Sequence, residues 1–170
     1  VAARARQADG RLDTDVLQFV CRSRLVPLSS ASKAFAQRFF PPHRPVLEGV
    51  LELTRHIFET FSFDSTATDV STPVEKVLGM RRGVCQDFSH ATISALRSLG
   101  IPARYVSGYL LTRPPPGQPK LKGADASHAW LSVWAPETGW VDFDPTNGLM
   151  PSAEHITVAW GRDYDDICPI

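Results

Sequence analysis

The apolar residues change their spacing once, at Pro102, and that change restricts the chain to a mixed architecture. Before Pro102 they recur at intervals of three and four, the spacing of a buried helical stripe. Ser29 or Ser30 can cap a helix running to about Phe40, with Phe35 and Phe39 on one face and Pro41-Pro42 as its stop. A second helix is expected from about Pro45 to Phe61, its stripe made by Leu47, Val50, Leu51, Thr54, Ile57, Phe58 and Phe61. Thr72-Pro73-Val74-Glu75 has the form of a capping box with proline at the first helical position, opening a short helix to about Leu78. The fourth starts near Cys85, buries Phe88, Thr92, Ala95, Leu96 and Leu99, and ends at Gly100.

Beyond Pro102 the pattern alternates. Ala103 to Thr112 is rich in strand formers, and Ser127 to Trp134 sets His128, Trp130, Ser132 and Trp134 against Ala129, Leu131 and Val133. Pro136-Glu137-Thr138-Gly139 is turn chemistry, so Trp140 to Asp144 should return antiparallel, and His155 to Trp160 supplies a fourth strand. The expected class is α+β, with helices packed on an antiparallel sheet. Arg113-Pro114-Pro115-Pro116-Gly117-Gln118-Pro119 must be extended, because proline has no N–H for a ladder. It reads as a loop within one domain over 1–170, with a helical lead-in to about 62 and a catalytic core over 63–160.

At 170 residues the chain can bury enough surface to fold without metal or disulfide staples. Its 18 basic residues balance 18 acidic ones, which argues against nucleic acid or an anionic membrane surface as partner. No apolar run reaches the ~20 residues a membrane span needs. Three cysteines, Cys21, Cys85 and Cys168, are too few and too odd for a disulfide scaffold, so a reducing, cytoplasmic setting is expected. The apolar ending Cys168-Pro169-Ile170 has the look of a cut, and the chain reads as a fragment of a longer protein.

The chemistry centres on Gly83-Val84-Cys85, a cysteine just past a glycine turn and at the head of a helix. Helix N-terminal N–H groups favour a thiolate over a thiol. A thiol nucleophile also needs a base, and His128 is the candidate, with Asp144 to fix the tautomer and stabilise imidazolium. The backbone N–H of Cys85 is a natural oxyanion donor. The blocks GVCQDFSHATISALRSLGIPARYVSGYL, ASHAWLSVW and GWVDFDPTNG resemble the transglutaminase-like superfamily, specifically its bacterial branch of cysteine-protease-like proteins, from about Thr68 to about Trp160. That resemblance implies a papain-like core with Cys85 as nucleophile, His128 as general base and acid, and Asp144 as third member. The family's tryptophan-to-aspartate spacing from Trp140 selects Asp144 over the nearer Asp142. Animal transglutaminases place a tryptophan in the oxyanion hole upstream of the cysteine, whereas Trp130, Trp134, Trp140 and Trp160 all follow Cys85, leaving the second donor unassigned. Bacterial relatives also carry an N-terminal β-rich domain, expected here outside the chain.

Other residues have plainer readings. His90 lies about 140° around the helix from Cys85 and is taken as structural. Asp163, Asp165 and Asp166 read as a solvated turn rather than a calcium site, Asp144 before Pro145 also has turn chemistry, and no close pair of ligands joins Cys21 or Cys168 in a zinc site. No cofactor is expected. The function expected is amide-bond chemistry through an acyl-thioester on a peptide or protein substrate, with hydrolysis ahead of glutamine cross-linking. A non-catalytic scaffold is the reading from another class.

Overall fold

The computed structural model of the protein describes residues 14–111 and 127–167. The proline-rich run and Cys168 fall outside them. The helices are α1 (Thr14–Leu17), continued by a 3-10 turn over Gln18–Val20, then α2 (Ser30–Gln37), α3 (Val46–Thr60), α4 (Val74–Met80) and α5 (Cys85–Ser98). Strands β1 (Ser62–Phe63) and β2 (Arg82–Gly83) form a short parallel pair. The main sheet is antiparallel, with β3 (Ala103–Leu110), β4 (Ser127–Ala135), β5 (Gly139–Phe143) and β6 (His155–Gly161) in the order β5-β4-β3-β6. This is the expected α+β class, and the four strands anticipated after Pro102 make up that sheet. The short α1 and the parallel pair were not anticipated.

Helix α5 occupies the centre, packed on β3 and β4 and against α2, α3 and α4. A one-sided stripe was expected, yet every residue from Asp87 to Arg97 is buried. Two of its hydroxyls bond nearby rather than needing water. Thr92 Oγ1 donates to the Phe88 carbonyl at 2.6 Å, and Ser94 Oγ to the Pro27 carbonyl at 2.6 Å. Around the helix, Leu53, Ile57, Phe88, Ile93, Leu96, Tyr105, Leu131, Val133 and Phe143 form one apolar core, each side chain worth roughly 1.5–3 kcal/mol of burial. Strand β4 is buried on both faces from Ala129 to Val133. On the sheet's other face, Phe19 packs edge-on to Trp140 and Trp160, and the Arg104 guanidinium sits 4.3 and 4.4 Å from those two rings.

Two local readings need correction. Thr72 does not cap α4: its hydroxyl is engaged with Asp69, whose N–H donates to it at 2.9 Å, and Pro73 precedes a helix that runs on to Met80. The Asp69 side chain already organises that turn by accepting from Ser71 N–H and Oγ, and the threonine joins it. Nor is the whole aspartate cluster a solvated turn: Asp165 and Asp166 are exposed, as expected, but Asp163 is not. Asp163 is 1% exposed and accepts the N–H groups of Leu25 and Asp165, while Asp165 pairs with Arg24 and Asp166 with Arg162. The cluster fastens a closing 3-10 turn (Tyr164–Ile167) to the segment before α2.

Two buried residues of α5 serve that same junction. Arg97 donates to the carbonyls of Ala103 (2.9 Å), Cys21 (3.2 Å) and Arg162 (2.6 Å), and burial lowers its pKa to about 10. His90, buried and held neutral by a pKa that burial lowers to about 4, accepts the Tyr164 N–H at 3.2 Å. Its bonding is structural, as expected. Among the described residues no helix is long and apolar enough to cross a membrane.

Candidate active site

Cys85 is the first residue of α5, so its N–H belongs to the first turn, where backbone donors have no intrahelical partner. The residue before it, Val84, cannot cap with its side chain. Asp87 supplies the cap instead, its Oδ2 accepting the Val84 N–H at 2.8 Å and the Thr68 hydroxyl at 2.6 Å. Gly83 makes room for that carboxylate, since a Cβ there would stand 2.5 Å from Asp87 Oδ2. Replacing Asp87 by alanine is expected to cost about 1 kcal/mol of stability in urea unfolding. An unchanged midpoint would show that the cap contributes nothing.

His128 lies near the start of β4, opposite Gly108 of β3. Its Nε2 lies 2.8 Å from Asp144 Oδ2, and the Cys85 side chain lies near enough to act on the charge of the ring. Burial opposes charge on the imidazole. The bonds to Asp144 and Cys85, with their negative charges, outweigh it and raise the His128 pKa to about 9. Of the three residues singled out in the sequence, His128 and Asp144 are joined by a hydrogen bond, and Cys85 at the head of α5 acts on the same ring electrostatically. Asp142 bonds elsewhere, accepting the Trp130 indole N–H at 3.1 Å.

Asp144 is fully buried and follows directly on β5. Its Oδ1 accepts the N–H groups of Thr146 (2.9 Å) and Asn147 (3.2 Å), so it does start the turn its neighbours suggest. Its Oδ2 accepts from three side chains: His128, Asn147 Nδ2 at 2.6 Å and His155 Nε2 at 3.1 Å. Burial would raise this carboxyl, yet the bonds from His128, Asn147 and His155 hold it below the usual carboxylate range.

Asn147 and His155 were not singled out in the sequence. The run Asp144-Pro145-Thr146-Asn147 carries an Asx-turn signal that could have led to Asn147. His155 gave no such signal: it sits on the edge strand β6, with β3 between it and β4. The His155 imidazole is 4% exposed, and its Nδ1 is buried with no hydrogen-bond partner among the described residues. A buried polar atom left in that state costs roughly 1–3 kcal/mol.

His128, Asp144 and His155 offer ligand atoms within 4.8 Å of one another. Both Nε2 atoms meet the same carboxylate oxygen at hydrogen-bond distance. The trio is a hydrogen-bond network. A cavity of about 340 Å³ between Val46, Ile101, Trp134 and Pro136 lies past the opposite end of α5 and shares no lining residue with it.

A buried helix headed by a cysteine, packed on an antiparallel sheet that presents a histidine–aspartate pair, defines a papain-like α+β core. Residues 33–145 match the sequence profile of the transglutaminase-like superfamily, and the chain belongs to that superfamily. An uncharacterized protein of Mycobacterium tuberculosis is 43% identical over 147 residues, covering 84% of this chain and 47% of the relative. The chain thus spans about half the length of these curated relatives. A protein-glutamine gamma-glutamyltransferase of Pseudomonas aeruginosa is 31% identical over 107 residues, 62% of this chain and 16% of that protein. Among solved structures, a "Putative Cysteine Protease" of Cytophaga hutchinsonii superposes with a TM-score of 0.76 at 29% identity, covering 96% of this chain and 53% of that one. The periplasmic domain of TgpA from Pseudomonas aeruginosa gives 0.61 at 27% identity, covering 81% and 49%.

Proposed function

We propose that the protein performs thiol-dependent amide-bond chemistry, with hydrolysis of a peptide or protein amide as its main outcome. The observation that supports this reading is the hydrogen bond of His128 to the buried Asp144, on a ring whose charge is also influenced by the cysteine at the head of α5. In the proposed cycle the proton shared by Cys85 and His128 rests on the imidazole, in keeping with its raised pKa, and the sulfur adds to the amide carbonyl. The oxyanion forms near the Cys85 N–H. Collapse breaks the C–N bond, His128 returns the proton to the leaving amine, and a thioester remains on Cys85. Water, activated by the same ring, releases the acid and restores the thiol. An amine in place of water would give transamidation, a second reading favoured by the similarity to the Pseudomonas glutamyltransferase.

Iodoacetamide at pH 6 provides a test that needs no known substrate. Cys85 is expected to react at least about tenfold faster than Cys21, an exposed free thiol without a histidine partner. Equal, slow reaction of the two would favour the scaffold reading. Mass analysis of a glutamine-containing peptide library, incubated with and without a primary amine, separates acid products from amine adducts.

The raised pKa of His128 adds a pH signature. Its proton is present below about 9 and lost as the pH rises through that value, so amide turnover should decline there for want of an acid to protonate the leaving amine. Alkylation needs no such acid and should not decline with it. Parallel declines would show that His128 does not serve as the acid.

A further inference from the structure

Resting on that reading of Cys85 and His128, we infer that His155 is a positioning residue for the thiol centre, acting through Asp144. Asp144 Oδ2 is approached by His128 from β4 at 2.8 Å and by His155 from β6 at 3.1 Å. Those strands flank β3, so the oxygen is held by imidazoles carried on strands that are not neighbours. An ionised carboxylate only accepts, which requires a proton on Nε2 of both rings. For His128 this leaves Nδ1 as the nitrogen that exchanges a proton with Cys85 in the proposed cycle.

The His155 ring has no other polar engagement among the described residues. Its side chain is 4% exposed, Nε2 is spent on Asp144, and Nδ1 has no partner. Trp130 stands edge-on to it with ring centroids 5.3 Å apart, and Trp130 is itself tied to Asp142. The ring is therefore fixed by packing and directs a single N–H at Oδ2. An apolar side chain would fill the same space without an orphaned nitrogen, so packing does not account for an imidazole here. Its distinctive contribution is to keep Asp144 ionised and to prevent its carboxylate from turning away from His128.

The rate of Cys85 alkylation by iodoacetamide, followed from pH 4 to 9 by peptide mass analysis, tests this in wild type, His155→Ala and His155→Gln. The glutamine amide nitrogen can occupy the place of Nε2 and still donate. We expect His155→Ala to slow alkylation at pH 6 about tenfold, and His155→Gln to recover it to within about threefold of wild type. Rates unchanged or faster in His155→Ala would overturn the inference. So would equal slowing in both variants, which would mark a packing role. A wild type that lacks rapid Cys85 alkylation at pH 6 would fail the reading above and take this inference with it, whereas a reactive wild type with an indifferent His155→Ala fails the inference alone.

Discussion

Cys85→Ala is expected to reduce amide turnover by about 10⁴-fold or more, with the urea midpoint nearly unmoved. The first part follows from the thiol's place as the atom that bonds the substrate: without it no acyl-enzyme forms, and what remains is binding and whatever polarisation the helix head supplies. The second follows from packing. Cys85 is only partly buried at the edge of the core, and alanine keeps its Cβ while favouring the helix. His128→Ala should be nearly as damaging and Asp144→Asn somewhat less, because members of such a unit do not act additively. Substantial turnover by purified, folded Cys85→Ala would sink the mechanism.

Gly108→Ala is expected to destabilise the fold by about 3 kcal/mol, the largest stability loss anticipated from a single added methyl group. A Cβ at Gly108 would stand 2.0 Å from the Ile156 carbonyl oxygen and 2.7 Å from Trp130 Cη2. Neither neighbour gives easily. Ile156 belongs to the β3–β6 ladder, and Trp130 is fully buried with its indole bonded to Asp142. Relief would have to come from moving β6 away from β3, which also withdraws His155 from Asp144. Gly79→Ala is the control: it lies in α4 with nothing within 4 Å of an added Cβ, and alanine should stabilise that helix by about 1 kcal/mol. Similar urea midpoints for the two variants would show that the crowding at Gly108 is unimportant.

The class of the fold was legible because its elements announce themselves locally. Ser29 does cap α2, its side chain accepting the Ser32 N–H, and the turn at Gly139 does return β5 along β4. What escaped the sequence depends on contacts between distant segments. Thr72 matched a capping pattern, but Asp69, three residues earlier, claimed its hydroxyl. The aspartates near the C-terminus read as a turn because nothing local shows that Leu25 and Arg24 will meet them.

The site divides in the same way. Cys85, His128 and Asp144 stand in motifs, each with a local reason to be noticed. Their support does not: Asp87 was passed over because a valine held the usual capping position, and His155 because edge-strand residues show their partners only once the sheet is assembled. Gly108 offered a hint that went unused, since a glycine inside a strand marks a place where another chain segment comes close.

Asp142 of β5 and Asp144 just beyond it have a consequence for how the site can be disrupted. Asp142 reaches Trp130 and Asp144 reaches His128, so two identical carboxylates, two residues apart, grip two ring N–H donors also two residues apart. Their separation equals the strand's own repeat, and a slide of β5 by two positions would preserve every inward and outward face while handing one ring the wrong acid and leaving the other with none. The short bend between Ala135 and Gly139 helps to set the phase. That bend, roughly 20 Å along β4 from the imidazole, acts as a vernier for the catalytic centre. A loop edit there could yield a well-formed protein that is chemically silent.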